Sequence, residues 1–94
     1  MTRKNKKSTH LYVLSCDGLL KIGVTNDINK RVKTLQTGNG NPIIVEYLDE
    51  RLNPEKAEKY LHRCFAKNRR KGEWFENLTL HEIRVKLMLF FDQD

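Results

Sequence analysis

The stretch LKIGVTNDINKR, residues 20–31, decides the fold because it joins the end of a strand to the start of a helix. Its first half is apolar, and Gly23 lets the backbone bend there or be approached closely. A polar turn follows, in which Asn26 or Asp27 can cap the helix by accepting a bond from a backbone N–H. Arg31 lies one turn into that helix. An anion site is predicted here, because a strand ends, a helix starts and an arginine lies in its first turn. Phosphate is the expected anion.

The segment before this stretch predicts a β-hairpin. Leu11–Ser15 has strand composition, and Asp17-Gly18 favours a tight type I′ turn into a second strand, Leu19–Val24. A two-residue loop sets the register and, with strand alternation, the two faces. One face then carries Tyr12, Leu14, Lys21 and Gly23, and the other carries mainly Leu11, Val13, Leu20, Ile22 and Val24.

The rest of the chain predicts one helix, a strand and two further helices. The helices are indicated by apolar residues at helical spacing, by Asn53-Pro54 at a helix start and by a capping box at Thr79–Glu82. The predicted segments are a helix at 27–37, a strand at 43–48, a helix from 53, a cationic loop at 67–72, a short apolar segment at 73–75 and a helix from 79 to about 91. The order ββαβαα predicts a small α/β or α+β domain with a three-stranded sheet over residues 10–94, preceded by a flexible basic arm, residues 1–9.

Composition narrows the class of partner. The 94 residues carry a formal net charge of +6 and a pI near 9.5, which favours a polyanion such as nucleic acid, although the charge could serve solubility alone. Cys16 and Cys64 are 48 positions apart without metal-ligand spacing, which argues against a disulfide framework or zinc ribbon. No signal peptide or apolar span is visible, so we expect a cytoplasmic protein without a membrane segment.

Five titratable residues are candidates for a site: Tyr12, Lys21, Arg31, Glu58 and His62. Each has an ordinary structural explanation, because strand tyrosines usually pack, helix arginines are usually solvated and a glutamate beside an apolar stripe usually pairs with lysine. Their placement on neighbouring elements beside a basic surface favours binding more than it favours catalysis.

Four ordered motifs resemble the GIY-YIG nuclease superfamily, in its small phage and bacterial branch. They cover roughly residues 10 to 78 and are His10-Leu11-Tyr12, Lys21-Ile22-Gly23 followed by Arg31, the helix segment 57–65 with Glu58, and Gly72-Glu73-Trp74-Phe75. The sequence departs from the family's pattern twice, with His10 in place of a glycine and Lys21 in place of the second tyrosine. The resemblance implies a three-stranded antiparallel sheet flanked by helices.

The resemblance also implies a metal-dependent endonuclease acting on DNA. Glu58 would hold one divalent cation, Mg²⁺ or Mn²⁺, and Arg31 would hold the phosphate. Tyr12 would accept the proton of the attacking water, helped by Lys21 and His62. Lys21 could instead hold the scissile phosphate as a point charge. Phosphate contacts are expected from Arg3, Lys4, Lys6, Lys7, Lys30, Lys33, Arg69, Arg70 and Lys71.

Two other functions remain open at this stage. The first is a non-catalytic nucleic-acid-binding module that retains the fold, for which Lys21 is the best support. The second is a protein-interaction domain with a basic surface. That function would not explain why the four motifs occur in order. The residues are compatible with DNA or RNA and with duplex or single-stranded substrates.

Overall fold

The computed structural model describes residues 8–50 and 53–92 of the chain. The elements follow the predicted order, with two short strands added before the last helix. They are β1 (His10–Cys16), β2 (Leu19–Thr25), α1 (Ile28–Thr37), β3 (Ile44–Asp49), α2 (Pro54–Cys64), a 3₁₀ turn (Ala66–Asn68), β4 (Arg69–Lys71), β5 (Trp74–Phe75) and α3 (Leu80–Phe91).

The β1–β2 hairpin has the predicted turn and register. Asp17 and Gly18 both have positive φ, 52° and 80°, as a type I′ turn requires. Tyr12 is therefore opposite Gly23, and Leu14 is opposite Lys21. The predicted assignment of side chains to the two faces of the hairpin is confirmed.

The sheet has five strands in the order β3-β1-β2-β5-β4, all paired antiparallel, so the predicted count of three strands is wrong. The two added strands form a second hairpin, in which Lys71 pairs with Trp74 across the two-residue loop Gly72-Glu73. Gly72 has a φ of 59°, which favours glycine. Residues 69–71 of the segment predicted as a cationic loop form the edge strand β4, which pairs with β5, and β5 in turn pairs with β2 through Leu20 and Lys21.

The apolar core lies on one face of the sheet, under α2 and α3. Leu11, Val13 and Ile22 of the hairpin pack with Leu61 of α2 and Ile83 of α3, and all five are 2% exposed or less. This packing fixes α2 against β1 and β2. The polar side chains of α2 therefore emerge at the edge of β2.

The helix ends follow the sequence closely. Asp27 caps α1 by accepting from the backbone N–H of Lys30 at 3.1 Å, and Thr79 and Glu82 form the predicted capping box of α3. The helix α2 begins at Pro54, but Asn53 is left-handed with a φ of 63° and its side chain makes no capping bond. Among the helices of the described ranges, none has the length and apolar character needed to cross a membrane.

Candidate active site

Tyr12 and Arg31 form the centre of the site on the face of the hairpin opposite the core. The Tyr12 side chain is 1% exposed, and its hydroxyl accepts a hydrogen bond from Arg31 Nε at 3.2 Å. Gly23, directly across from Tyr12, leaves the space that the phenol ring occupies. A Cβ at position 23 would lie 2.4 Å from the Tyr12 hydroxyl oxygen, so this close approach requires glycine.

Lys21 is a buried cation held by the second hairpin. It is 6% exposed, and its Nζ lies 3.3 Å from Oε1 of Glu73 and 5.4 Å from the centre of the Trp74 ring. The carboxylate and the aromatic face together offset the cost of removing the ammonium from water. The segment 73–74 therefore fixes the position of Lys21.

Three potential metal ligands meet beside Lys21. Glu58 and His62 project from α2, Glu73 comes from the β4–β5 loop, and each offers a ligand atom within 4.8 Å of the other two. His62 Nε2 is 2.9 Å from the backbone oxygen of Ile22, so this nitrogen carries hydrogen and the neutral ring keeps a lone pair on Nδ1. Metal-binding histidines commonly donate their other N–H to a backbone carbonyl in this way.

The donor set fits a hard divalent cation. Two carboxylates suit Mg²⁺ or Mn²⁺, and an added imidazole is accepted more readily by Mn²⁺. Burial, and next the nearby charge of Glu73, raises the pKa of Glu58 from 4.5 to about 7, while Lys21 opposes the rise. The two acids therefore repel one another, and a bound cation would relieve that repulsion.

The ionisation of Tyr12 is controlled by its surroundings. Burial raises the pKa of Tyr12 above its ordinary value, and the hydrogen bond and charge of Arg31 act in the opposite direction. The negative charges of Glu73 and Glu58 raise it further, which places both acids within electrostatic range of the phenol. At neutral pH the hydroxyl of Tyr12 is therefore protonated.

A shallow pocket of about 250 Å³ lies between the end of β2 and the start of α1. It is lined by Thr25, Asn26, Asp27, Lys30, Arg31 and Thr34. This is the place where the sequence predicted an anion site. Because the carboxylate of Asp27 already caps the helix, an anion here would be held by the side chains of Lys30 and Arg31 rather than by free backbone N–H groups.

The candidate nucleic-acid contacts lie on several surfaces. Arg3, Lys4, Lys6 and Lys7, and most of the predicted arm, are outside the described residues, and Ser8 and Thr9 donate backbone bonds to Glu55 and Thr25. Lys30 and Lys33 are exposed on α1. The cations of β4 are also exposed: Arg69 donates to the backbone oxygen of Gly72, and Arg70 lies 3.4 Å from Glu76.

The structure brings the five candidate residues together around the middle of β2, at residues 21–23. Tyr12 contacts Arg31 directly, whereas Lys21 and Glu58 are linked through Glu73. Sequence reasoning missed Glu73, although it lies in the quoted segment Gly72–Phe75. Its contact with Lys21 depends on the pairing of β5 with β2, which the sequence pattern alone did not reveal.

Comparison with known proteins identifies a family for this chain. A model of the T5orf172 domain matches residues 6–88. The chain is also similar to a UPF0213 protein of Bacillus pumilus (strain SAFR-032), at 40% identity over 65 residues, which is 68% of this chain and 59% of that protein. No solved structure gives a significant match. The two matches support a GIY-YIG-like superfamily, as the motifs predicted, and do not identify the small phage and bacterial branch.

Proposed function

This chain belongs to the T5orf172 domain family, and we propose that it is a metal-dependent endonuclease that hydrolyses phosphodiester bonds in DNA. The observation that carries the proposal is the meeting of a phenol, two cations and two carboxylates around the middle of β2. A module that only binds nucleic acid would need the cations and not the carboxylates. It would have no need for Glu58 to sit beside Glu73 in an arrangement that raises its pKa.

The metal would be held by Glu58, with Glu73 and His62 as further ligands. A bound Mg²⁺ or Mn²⁺ ion would offset negative charge on the leaving oxygen of an in-line displacement. The other tasks fall to residues of the chain itself.

Arg31 would bind the scissile phosphate. Its Nε–H is used by Tyr12, so the two terminal nitrogens of the guanidinium are the donors left for phosphate oxygens. The same hydrogen bond ties the phosphate-binding group to the proton-accepting group, so both are positioned together.

Tyr12 would orient the attacking water, and the phenolate form of Tyr12 would take one proton from that water and become the neutral phenol. Arg31 is the cation that favours the phenolate form, because its hydrogen bond and its charge lower the pKa of Tyr12. Lys21 would take the second role considered for it, in which its ammonium contacts the phosphate as a point charge.

The direct test is cleavage of supercoiled plasmid and of single-stranded DNA by purified protein, in Mg²⁺ or Mn²⁺ and then in EDTA. We expect cleavage that EDTA abolishes and that Glu58→Gln lowers by about 10²–10³-fold, as loss of an electrostatic stabiliser does. Glu46→Gln, which changes an exposed carboxylate of β3 bonded to Ser15, is the matched control. Binding of DNA without cleavage would contradict the proposal and favour a non-catalytic module.

The metal ligands can be tested apart from activity by titrating Mn²⁺ and measuring the free ion by electron paramagnetic resonance. Glu58→Gln and Glu73→Gln should each weaken Mn²⁺ binding by about tenfold or more, in line with the loss of a ligand or its partner. Wild-type affinity in Glu73→Gln would remove Glu73 from the proposed ligand set.

A further inference from the structure

An open pocket outside the proposed catalytic and metal-binding residues lies at the end of the sheet that carries the β1–β2 turn. It has a volume of about 410 Å³, within the roughly 300–1,000 Å³ typical of small-molecule sites. Its lining includes Leu19, Asn39, Asn41, Arg70, Lys71 and Trp74. None of these is used by the proposed chemistry except Trp74, which adjoins Lys21.

Trp74 offers the pocket a fixed aromatic surface. Its backbone pairs with Lys21 of β2 and with Lys71 of β4, and the Nζ of Lys21 lies 5.4 Å from the centre of its ring. The side chain is only half-buried, and part of the ring therefore remains accessible from the pocket. Aromatic side chains presented in this way stack on nucleobases, because every base has a π face.

Asn39 and Asn41 also line the pocket. The backbone oxygen of Asn41 accepts from Gln36 at 2.8 Å, and Oδ1 of Asn39 accepts from the N–H of Asn41 at 3.0 Å, so the loop is internally ordered. Within the described ranges, the side-chain amide of Asn41 makes no hydrogen bond. Such an amide can pair with the polar edge of a base.

The rim of the pocket is cationic. Within the described residues Lys71 has no ion-pair partner, and the exposed pair of Arg70 with Glu76 at 3.4 Å is of a kind that contributes little. One acid, Asp17, also lies at the pocket. The two cations of β4 are placed to contact the phosphate attached to a bound base.

We propose that this pocket binds one unpaired nucleobase of a DNA strand, stacked on Trp74, next to the phosphate that the catalytic site cleaves. The inference rests on the proposed endonuclease function, because it assigns the substrate form of that same site. Trp74 is the neighbour of Lys21, so the bound base belongs to a nucleotide adjoining the scissile phosphate. The preferred substrate is therefore single-stranded or locally unpaired DNA.

Trp74 is the single tryptophan of the chain, so its fluorescence reports on this pocket directly. The experiment titrates the full chain, in EDTA, with dT₁₆, with a 16-unit abasic strand of the same charge, and with the dT₁₆·dA₁₆ duplex. We expect dT₁₆ to quench Trp74, and the abasic strand to bind about 5- to 150-fold more weakly without quenching, as loss of stacking predicts. Equal quenching by all three, or quenching by none, would overturn the proposal.

Substitutions at the pocket give a second readout by anisotropy of labelled dT₁₆. Trp74→Phe keeps an aromatic ring and should bind at least about 5-fold more tightly than Trp74→Leu. Lys71→Ala, at an exposed position that tolerates substitution, should lower the salt slope of binding by about 1, and Lys59→Ala on α2 should leave it unchanged. Equal affinity of the two Trp74 variants would count against stacking.

These assays can contradict the base-binding pocket and the proposed endonuclease function independently of each other. Plasmid cleavage in Mg²⁺ without quenching by dT₁₆ would overturn the base pocket and leave the endonuclease standing. Quenching by dT₁₆ with no cleavage of any DNA would leave a base-binding pocket and contradict the endonuclease.

Discussion

The two faces of the β1–β2 hairpin are equally buried but carry different chemistry. Leu11, Val13 and Ile22 face α2 and α3 and are 2% exposed or less, whereas Tyr12 and Lys21 on the opposite face are 1% and 6% exposed. The first face belongs to the continuous apolar core, and the second lies outside it. Alternation along one pair of strands thus separates the residues that stabilise the fold from those that form the candidate site.

The difference shows in what burial costs on each face. Burying the apolar face is favourable throughout, at roughly 25 cal/mol per Å² of apolar surface. On the polar face the ammonium of Lys21 needs the carboxylate of Glu73, and next to that carboxylate Glu58 of α2 is held where its charged form is disfavoured. The core therefore maintains an arrangement that would be unfavourable by itself.

The largest effect on stability is expected on the core face. Leu61→Ala removes a fully buried side chain and should lower the free energy of unfolding by about 2–5 kcal/mol, measured by urea denaturation. Leu89→Ala, at a position of α3 that is 50% exposed, is the control and should change it by less than about 0.5 kcal/mol. Equal losses would mean that the core is not where the apolar cluster places it.

A smaller loss is expected where the polar face is most tightly packed. Gly23→Ala would place a Cβ 2.4 Å from the Tyr12 hydroxyl, so the buried ring must move, at a cost of about 1–3 kcal/mol and with loss of cleavage. Gly38→Ala is matched, because its Cβ would meet nothing within 4 Å and its φ of −98° suits alanine. Wild-type stability and activity in Gly23→Ala would contradict the close approach.

The smallest effect on stability has the opposite sign and depends on pH. The folded chain holds the Glu58 proton up to about pH 7, whereas unfolding restores a pKa near 4.5, so this contribution to stability is present below pH 4.5 and is lost as the pH rises to 7. At pH 8 the free energy of unfolding of Glu58→Gln should therefore be about 1–2 kcal/mol higher than that of the natural chain, with solvent screening allowed for. Near pH 4 the two free energies of unfolding should be equal.

Thermal unfolding at both pH values measures this difference, with Glu46→Gln as the exposed control. If Glu58→Gln were more stable than the natural chain by the same amount at pH 4 and at pH 8, the effect would be unrelated to the ionisation of Glu58.

Much of the fold followed from local chemistry. Asp17-Gly18 determined the turn, the turn determined the register, and the register set Tyr12 against Gly23. The β4–β5 hairpin was not predictable in this way, because three consecutive cations and two apolar residues show no alternation. It forms because the outer edge of β2 provides backbone partners that no local pattern records.

The site was predictable in part for the same reason. Tyr12 and Arg31 lie on elements adjacent in sequence, so their contact follows from the strand and helix that residues 20–31 connect. Glu73 and Lys21 are 52 positions apart in the chain, and only the pairing of β5 with β2 brings them together.

The measurement that tests the central claim most directly compares two cations of the same helix. Arg31 is bonded to Tyr12 in the site, whereas Lys33 is exposed on α1. In single-turnover cleavage of DNA in Mg²⁺, Arg31→Ala should lower the rate by about 10²–10³-fold, and Lys33→Ala should change it by only a few-fold. Equal rates for the two variants would contradict an active site on the polar face of the hairpin.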